Sequence, residues 1–403
     1  MQLTEAPVQI SSLLDRFAEP ETLKMAKLGR ELRAKGIDII DLSLGEPDFD
    51  TPQHIKEAAK KAIDDNWSHY PPVAGYPDLR EAICQKFKRD NNLDYKQENI
   101  VVSTGAKQSL ANAILALVDV GDEVIIPAPF WVTYSELVKI AGGIPVIVRT
   151  PMENKYKISP QQLEEVITER SKVFLFSSPC NPSGTVYTKD ELKELADTFE
   201  KHPGISIISD EIYEYINFIG KHESIAQFEN IKDRVIIVNG VSKGYAMTGW
   251  RIGYIGAPKF IADACDKMQG QFTSAASSIA QKAAEAALTM DMKPTYEMQQ
   301  AFRRRRDLVL DKMKDIPGIK INKPEGAFYV FPDVSAYFGK SFEGKKINNA
   351  SELCMYLLHQ AHVSLVTGDA FGDGNCVRFS YAAADDKLVE AIKRIKTALS
   401  KLS

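Results

Sequence analysis

A lysine and an arginine lie close together in a segment whose residue types suggest chemistry. The segment is Val238-Asn-Gly-Val-Ser-Lys-Gly-Tyr-Ala-Met-Thr-Gly-Trp-Arg-Ile-Gly253, in which Lys243 follows an apolar run and Arg251 comes eight residues later. Burial in a crowded, glycine-rich loop lowers the pKa of a lysine and makes its amine a nucleophile for carbonyls, including a cofactor aldehyde. The planar fork of Arg251 suits a phosphate. An isolated lysine after a strand is more often exposed to solvent, so other segments must support this hypothesis.

Three further segments follow apolar runs and offer groups that suit one ligand. Ser103-Thr-Gly-Ala-Lys-Gln-Ser109 opens a helix, where free N–H groups and the helix dipole attract anions. In Ile207-Ile-Ser-Asp-Glu-Ile-Tyr213, Asp210 ends a strand, at the sheet edge where α/β proteins bind ligands. A buried carboxylate needs a cationic partner, and a protonated pyridine nitrogen is one. Ser178-Pro-Cys-Asn-Pro-Ser-Gly184 is a loop that presents Asn181 to a ligand or is only a turn.

Each of these segments also has a plain structural explanation. Ser-Thr-Gly before a helix is good capping chemistry, and Asp210 is equally suited to cap the helix after it. Other phosphate-binding patterns are missing, because no Gly-x-Gly-x-x-Gly follows a strand and no Gly-x-x-x-x-Gly-Lys-Ser/Thr occurs. The interpretation therefore depends on the segments occurring together rather than on any one of them.

The elements that must position these residues are short apolar runs alternating with amphipathic stretches. The predicted strands are Asn99–Ser103, Glu123–Ile126, Pro145–Val148, Lys172–Phe176, Ile205–Ser209, Val235–Asn239 and Ile252–Gly256. Helices are predicted between them, among others at Asp78–Lys88, Ala106–Leu117 and Lys189–Phe199. Such alternation predicts an α/β fold, with a mostly parallel sheet that carries helices on both faces.

From about residue 258 the pattern changes to longer helices and fewer strands. Helical stretches run toward Leu288 and over 295–314. They are followed by the predicted strands Ala327–Phe331, Val363–Val366 and Val377–Ser380 and the predicted helices Ala350–Ala361 and Lys387–Leu399. This pattern of helices and strands predicts a second, smaller α+β domain, which residues near 20–48 join through a strand at Ile37–Leu44. We expect an N-terminal arm at 1–19, a large domain at 49–289, and a small domain formed by 20–48 and 290–403.

Composition limits the class of protein. The 403 residues include 50 Lys and Arg against 54 Asp and Glu, a net charge of −4, so no global basic field favours nucleic acid or an anionic membrane. No apolar run approaches the roughly 18 residues of a membrane span, and no secretory n-region is visible. We expect a soluble cytoplasmic protein. The basic run Arg303–Arg306 is interpreted as a solvated helix face, because Asp307 and Asp311 lie nearby.

Cysteines and histidines do not indicate a metal centre. The five cysteines are odd in number and lack Cys-x-x-Cys spacing, which favours reduced thiols over disulfides or zinc. His359 and His362 have a spacing that metal sites use, but no His-Glu-x-x-His pattern or carboxylate cluster accompanies them. We therefore expect no metal.

Taken together, the segments resemble the class I aminotransferases, which are fold-type I pyridoxal-phosphate enzymes, and specifically the bacterial aspartate aminotransferase subgroup. The resemblance extends from Ser43-Leu-Gly-Glu-Pro-Asp-Phe49 to Val377-Arg-Phe-Ser-Tyr381, almost the whole chain. Ser-Lys-x-x-x-Met-Thr-Gly-Trp-Arg, at 242–251, is highly specific, and so is the order of the segments. The resemblance implies the PLP-transferase fold type I, pyridoxal 5′-phosphate as the cofactor, and a homodimer with shared active sites.

The resemblance also implies roles at the cofactor. Lys243 carries the cofactor and then acts as the base that moves a proton, while Asp210 keeps the pyridine nitrogen protonated so that the ring accepts electrons. Tyr213 and Asn181 hydrogen-bond the phenolate oxygen of the ring, and Trp131 stacks on it. The residues implied to hold the phosphate are Gly105, Ala106, Lys107, Arg251 and, from a neighbouring subunit, Tyr70.

Substrate contacts are implied as well. Arg378 binds the α-carboxylate with help from the Gly45 backbone and Asn181, and Trp131 borders the substrate. An arginine among apolar strand residues is unfavourable unless it meets an anion, so the residues alone already favour a ligand at Arg378. In this subgroup, a lysine at the position of Lys107 binds the side-chain carboxylate of aspartate or glutamate.

Four positions depart from the subgroup pattern. Pro20 stands where a Ser-x-Thr often has its serine, although Thr22 matches, and Glu21 places an acid beside the expected anion site. Cys180 replaces the usual asparagine, and Gly240 stands where a serine would contact the phosphate. The departures affect the expected donor range more than the cofactor chemistry.

The expected function is amino transfer from an L-amino acid, with aspartate favoured, to a 2-oxo acid, with 2-oxoglutarate favoured, in ping-pong half-reactions. Alternatives on the same scaffold are an aromatic, kynurenine or broad-specificity aminotransferase and a β-lyase, which Lys243 alone does not separate. A ligand-sensing regulator built on such a domain is a different class. It would need a DNA-binding module, for which about 40 residues before Gly45 are too few.

Overall fold

The computed structural model describes residues 10–403, so residues 1–9 of the predicted N-terminal arm lie outside the described residues. The helices in chain order are α1 Glu21–Ala34, α2 Gln53–Asp64, α3 Pro77–Lys86, α4 Ala106–Leu117, α5 Thr133–Ala141, α6 Pro160–Val166, α7 Lys189–Glu200, α8 Lys259–Phe272, α9 Ser278–Thr289, α10 Lys293–Met313, α11 Ala350–Gln360 and α12 Asp385–Leu399. The strands are β1 Ile40–Asp41, β2 Ile100–Ser103, β3 Glu123–Ala128, β4 Ile144–Arg149, β5 Ser171–Ser177, β6 Ser206–Asp210, β7 Val235–Gly240, β8 Gly253–Gly256, β9 Tyr329–Val330, β10 Ser341–Phe342, β11 Lys345–Lys346, β12 Val363–Ser364, β13 Val366–Thr367 and β14 Val377–Ser380.

A seven-stranded sheet forms the larger part of the fold, in the order β2-β8-β7-β6-β5-β3-β4. The strands from β7 to β4 are parallel, whereas β8 is antiparallel to both of its neighbours. The predicted mostly parallel sheet is therefore confirmed. The C-terminal ends of the parallel strands reach one edge, so the loops after β2, β3, β5, β6 and β7 meet there.

Apolar cores cover both faces of this sheet. Along β5, Phe174 and Phe176 belong to one core, whereas Val173 and Leu175 belong to another. Because successive side chains of a strand point to opposite faces, this division places helices on both sides. The continuous apolar runs in the sequence reflect burial on both faces.

A smaller α+β unit is built from both ends of the chain. A three-stranded antiparallel sheet, β13-β14-β9, and the parallel pair β1-β12 share a core with α1, α10, α11 and α12. Ile212 and Tyr213, from the turn after β6, belong to the same core. We propose that the domain boundaries lie at residues 48/49 and 289/290, as the sequence pattern predicts.

Two local predictions need correction. The expected strand at Ile37–Leu44 is only the two-residue β1, and Val363–Val366 divides into β12 and β13. The expectation of a solvated face at Arg303–Arg306 is wrong for the last two arginines, which are 7% and 4% exposed. Arg305 donates to both carboxylate oxygens of Asp48, at 2.6 and 2.9 Å, because α10 packs beneath the segment that holds this residue.

Within residues 10–403, no helix combines the length and apolar character that crossing a lipid bilayer requires. All five cysteines are buried, and none of them pairs with another.

Candidate active site

The loops at the sheet edge and the smaller unit enclose one cleft, and the predicted site residues gather around it. The ten that line the cleft are Gly45, Ala106, Lys107, Trp131, Asn181, Asp210, Tyr213, Lys243, Arg251 and Arg378. Of the remaining two, Gly105 lies against the guanidinium of Arg251, whereas Tyr70 is 98% exposed and does not line the cleft. The cleft thus collects side chains that are far apart in sequence.

Lys243 enters the cleft from the loop that follows β7. Its ammonium donates a hydrogen bond to the carbonyl of Gly45 and lies 5.8 Å from the ring centroid of Tyr213. Burial lowers the pKa of Lys243 to about 8, an effect to which the positive charges of Arg378 and Arg251 contribute. A much larger fraction of this amine is therefore neutral near pH 7 than for a surface lysine, and the neutral amine is the nucleophilic and basic form.

Asp210 is a buried carboxylate at the C-terminal end of β6. The hydroxyl of Tyr134 donates to its Oδ2 at 2.7 Å, and the N–H of Ile212 donates to its Oδ1 at 3.2 Å. Burial raises the pKa of Asp210 to about 6, although both hydrogen bonds lower it. No lysine or arginine of the described chain forms an ion pair with this carboxylate, so it suits a cationic group that arrives with a ligand.

The N-terminus of α4 forms an anion-binding end of the cleft. Gly105 adopts a φ of +80° before the helix, and a Cβ at this position would overlap the guanidinium of Arg251. A Cβ at Gly253, the first residue of β8, would overlap the backbone N of Ala106. The two glycines thus let the helix start, the strand and Arg251 pack closely, where the free N–H groups of the first turn attract an anion.

Arg378 is the cationic residue on the opposite wall. It belongs to β14, is 2% exposed, and packs against the rings of Tyr329 and Phe371 at 4.7 and 5.0 Å. Its Nη1 donates to Asn181 Oδ1 at 3.1 Å and its Nη2 to the carbonyl of Ser43. Its Nε has no hydrogen-bond partner, and within residues 10–403 no carboxylate pairs with it. A buried guanidinium in this state suits an anionic ligand.

Aromatic residues and Lys107 border the cleft between these two ends. The hydroxyls of Tyr213 and Tyr329 are 2.7 Å apart, so one donates to the other. The ammonium of Lys107 lies 5.0 Å from the ring centroid of Trp131, and Thr22 lines the same cleft. Partial burial, together with the charge of Arg251, lowers the pKa of Lys107.

The positions that depart from the subgroup pattern lie as follows. Glu21 pairs with Lys24 at 3.2 Å and does not line the cleft. Cys180 is buried, with its thiol 3.5 Å from the carbonyl of Pro129. Gly240 has no room for a side chain, because a Cβ there would lie 2.8 Å from the Cα of Gly253 in the adjacent strand.

Sequence reasoning missed several cleft residues. Tyr134 lies three residues after Trp131 in a segment already singled out, but nothing in the sequence pairs it with Asp210. Tyr329 falls in a predicted strand without any polar signal. The carbonyl of Ser43 contributes through its backbone, which the side-chain types of a sequence do not reveal.

Comparison with known proteins decides the family. The model of the family "Aminotransferase class I and II" matches residues 37–395. The chain belongs to this family. The expected aminotransferase function and fold are thereby confirmed.

Curated relatives and solved structures agree with this assignment. The chain is 45% identical to the "Aspartate/prephenate aminotransferase" of Cereibacter sphaeroides, over 98% of this chain and 99% of that protein. It is 44% identical to a "Bifunctional aspartate aminotransferase and glutamate/aspartate-prephenate aminotransferase" of Petunia hybrida, over 99% of this chain and 84% of that protein. The aspartate aminotransferase of Rhizobium meliloti superposes with a TM-score of 0.95 at 41% identity, covering 98% of this chain and all of that one. The Thermus thermophilus aspartate aminotransferase with maleate gives 0.90 at 37% identity, covering 97% and 100%.

The buried charge of Asp210 predicts that the difference in stability between the wild type and an Asp210→Asn variant depends on pH. Its folded-state pKa is raised from 3.8 to about 6, so the contribution of Asp210 to the free energy of unfolding falls as pH rises through this window. We expect Asp210→Asn, whose oxygen can accept from the N–H of Ile212 while its NH2 group donates to the hydroxyl of Tyr134, to be more stable than the wild type by about 3 kcal/mol at pH 8 and about half of that at pH 5. Urea unfolding of protein freed of small-molecule ligands measures the difference.

The matched control is Asp263→Asn, because Asp263 is an exposed carboxylate on α8. This change should alter the free energy of unfolding by no more than about 0.5 kcal/mol at either pH. If the free energies of unfolding of Asp210→Asn and the wild type differ by the same amount at the two pH values, the raised pKa of Asp210 is contradicted.

Proposed function

We propose that this aminotransferase uses pyridoxal 5′-phosphate to move the amino group of aspartate to 2-oxoglutarate in ping-pong half-reactions. The observation that carries the proposal is the convergence of three side chains on one cleft: the amine of Lys243, the carboxylate of Asp210 and the guanidinium of Arg378. None of the three forms an ion pair with another described residue. The nucleophilic amine of Lys243 suits an aldehyde, and the charges of Asp210 and Arg378 suit a protonated ring nitrogen and a substrate carboxylate.

The residues present fit this cofactor in three places. The start of α4 and Arg251 form a cradle for a phosphate, and the two close glycine contacts described above leave no side chain in it. Asp210 would hold the proton of the ring nitrogen, and Lys243 would attach the aldehyde carbon. When bound, the cofactor supplies an electron sink for the electron pair that remains on the substrate Cα after deprotonation.

The protein supplies proton transfer and orientation. Lys243, whose pKa is lowered to about 8, would be the base that takes the proton from the substrate Cα once the amine of the substrate has replaced it on the aldehyde carbon. Tyr213 and Asn181, which line the cleft, would hydrogen-bond the phenolate oxygen of the ring. Trp131, at the side of the cleft, would stack on the ring and so fix its plane relative to the bond that breaks.

Arg378 and Lys107 support a dicarboxylate substrate. The guanidinium of Arg378 would bind the α-carboxylate bidentately, and its orientation is fixed by Asn181 and the carbonyl of Ser43. Lys107 and Thr22 lie on the cleft wall and would bind the distal carboxylate. Relatives named aspartate aminotransferase, and the Thermus thermophilus structure with maleate, support this choice.

Prephenate is a second candidate amino acceptor. Relatives of this chain at 44–45% identity are named aspartate/prephenate aminotransferase. The cleft mouth also carries Leu23, whose 55% exposure beside Thr22 leaves apolar surface free for a substrate larger than aspartate. Comparing the rates with 2-oxoglutarate and with prephenate as acceptor, at equal concentrations of aspartate, tests this activity.

A β-lyase would instead form pyruvate and ammonia from a cysteine conjugate without any 2-oxo acid.

The attachment of the cofactor should follow the state of Lys243. We expect borohydride to trap pyridoxal 5′-phosphate covalently on apo-protein, at a rate that rises with pH and has its midpoint near 8. Lys243→Ala should give no label at this position in peptide mass mapping and should lose the visible absorption of the bound cofactor. Wild-type absorption and wild-type transamination in this variant would disprove the proposed role.

Lys107 should determine selectivity for the side-chain carboxylate. In a half-reaction screen of the holo-protein, we expect aspartate and glutamate to convert the cofactor faster than alanine or aromatic amino acids. Lys107→Met should lower the second-order rate constant for aspartate about ten- to hundredfold and change that for alanine little, because one charge-assisted contact is lost. Lys282→Met is the control, since Lys282 also lies over a tryptophan ring, that of Trp67 at 4.3 Å, but outside the cleft. Turnover of alanine far above aspartate in the wild type would overturn the substrate assignment.

We further propose a cytoplasmic homodimer in which Tyr70 contacts the phosphate bound by the neighbouring subunit. A tyrosine that is 98% exposed in a single chain and absent from its own cleft supports this arrangement. The fold also presents exposed apolar side chains nearby in sequence, such as Ile63 at 58%. Five buried, unpaired cysteines are compatible with a reducing compartment.

Mixed dimers test the shared site. A dimer of one Tyr70→Ala chain and one Lys243→Ala chain would contain one intact and one doubly altered site. Unfolding and refolding an equal mixture should restore up to about a quarter of wild-type activity at limiting cofactor, by random pairing of the two chains. If Tyr70 acts within its own chain, the mixture should show no more activity than the average of the two variants alone.

A further inference from the structure

The turn that follows β6 has two faces, and only one of them belongs to the cleft. Asp210 and Tyr213 face the cleft, whereas the carboxylates of Glu211 and Glu214 are 1% and 5% exposed and lie in the core behind it. The N–H of Glu214 donates to the carbonyl of Glu211 at 3.0 Å, which closes the turn. Two buried carboxylates next to the proposed catalytic residues require a structural or functional explanation.

Glu211 is held by three side chains and by the sheet. The hydroxyls of Ser209 and Ser224 donate to its Oε1 at 2.9 and 2.7 Å, and Nε2 of His222 lies 3.0 Å from its Oε2. Its backbone N–H donates to the carbonyl of Val238 in β7 at 2.8 Å. The residue after Asp210 is therefore fixed from both its side chain and its main chain.

Glu214 is held by the end of α3. Lys86, the last residue of that helix, is fully buried, and its ammonium forms an ion pair with Glu214. The same ammonium donates to Asn91 Oδ1 at 2.8 Å, and Nδ2 of Asn91 donates to Glu214 Oε2 at 3.3 Å. A helix more than 120 residues earlier in the chain thus anchors the residue that follows Tyr213.

The charges in this cluster balance one another. Burial disfavours a charged His222, but Glu211 and Glu214 outweigh burial and raise its pKa. The two carboxylates therefore face the ammonium of Lys86 and the imidazole of His222, whose protonated form they favour. Glu211, Glu214 and His222 also bring one potential metal ligand each within 4.8 Å of one another. Because the ammonium of Lys86 already lies against Glu214, a divalent ion would have to share this carboxylate with a second cation.

We propose that the buried cluster of Lys86, Glu211, Glu214 and His222 positions Asp210 and Tyr213 for the cofactor. A buried cluster of closely paired opposite charges has one favourable arrangement, since any displaced member leaves an unpaired charge in a low-dielectric core. The turn between β6 and Tyr213 is thereby locked from behind, while its cleft-facing carboxylate stays free for a ligand. These four are positioning residues, and the inference rests on the proposed use of pyridoxal 5′-phosphate.

The test compares His222→Ala and His222→Gln, whose amide keeps a donor toward Glu211, with the wild type. We expect His222→Ala to weaken binding of pyridoxal 5′-phosphate about ten- to hundredfold and to shift the pH midpoint of the visible absorption of the holo-protein. His222→Gln, which restores a donor but not the positive charge, should recover part of both losses. In apo-protein, hydrogen exchange measured by mass spectrometry should become faster in peptides that cover residues 206–216.

Lys157→Met is the matched control. Lys157 is 8% exposed and pairs with Glu191 at 2.7 Å away from the cleft, so its loss should lower thermal stability without affecting cofactor affinity or exchange at 206–216. If His222→Ala does not fold, Ser224→Ala, which removes one donor to Glu211, should show the same changes on a smaller scale.

Two results would overturn the inference. One is a His222→Ala protein that loses as much thermal stability as Lys157→Met but keeps wild-type affinity, absorption midpoint and exchange. The other is one equivalent of a bound divalent metal in the purified protein that is lost in His222→Ala. A wild-type protein that fails to bind pyridoxal 5′-phosphate would instead refute the proposed function and leave the exchange measurement on the turn still informative.

Discussion

Charged groups without a protein counter-ion are the constraint on which the active site depends. Asp210, Lys243 and Arg378 face one cleft, and no ion pair within the described residues includes any of them. Taking a charge out of water is unfavourable unless a partner compensates. The free energy of folding must therefore come from elsewhere, namely the apolar cores on both faces of the large sheet and the core of the smaller unit. A ligand of complementary charge then stabilises the folded state that binds it.

The topology of the fold explains how these charged residues, which are far apart in sequence, meet in one cleft. Parallel strands deliver their C-terminal residues to one edge, which brings the loops carrying Gly105, Trp131, Asn181, Asp210 and Lys243 to a common place. The second wall comes from the two ends of the chain. The guanidinium of Arg378 donates to the carbonyl of Ser43, 335 positions earlier, so the site proposed for the α-carboxylate forms only when both parts of the smaller unit have assembled.

Sequence could predict those parts of the site that depend on local rules. A polar residue at the end of an apolar strand lies at the ligand-binding edge of a parallel sheet, and this rule located Asp210 and Lys243. Pairings between distant residues have no such rule. Arg305 looked solvated because Asp307 and Asp311 are its sequence neighbours, yet its partner is Asp48, 257 positions away. The hydrogen bond of Tyr134 to Asp210 and the ion pair of Lys86 with Glu214 escaped prediction for the same reason.

The neighbouring carboxylates of Asp210 and Glu211 show how one sequence serves stability and binding together. Both are buried. Asp210 is the last residue of β6 and Glu211 is the next residue, and successive side chains along a strand point to opposite sides. Glu211 faces the core, where Ser209 and Ser224 donate to its Oε1 and the ring of His222 lies 3.0 Å from its Oε2, so partners for its charge come from within the protein. Asp210 faces the cleft and receives only neutral donors, so its compensation is left to a ligand. The charge of Glu211 also raises the pKa of Asp210, after the larger effect of burial. A cationic ligand group therefore stabilises the folded protein most when it binds at Asp210, the carboxylate whose charge the protein itself does not compensate.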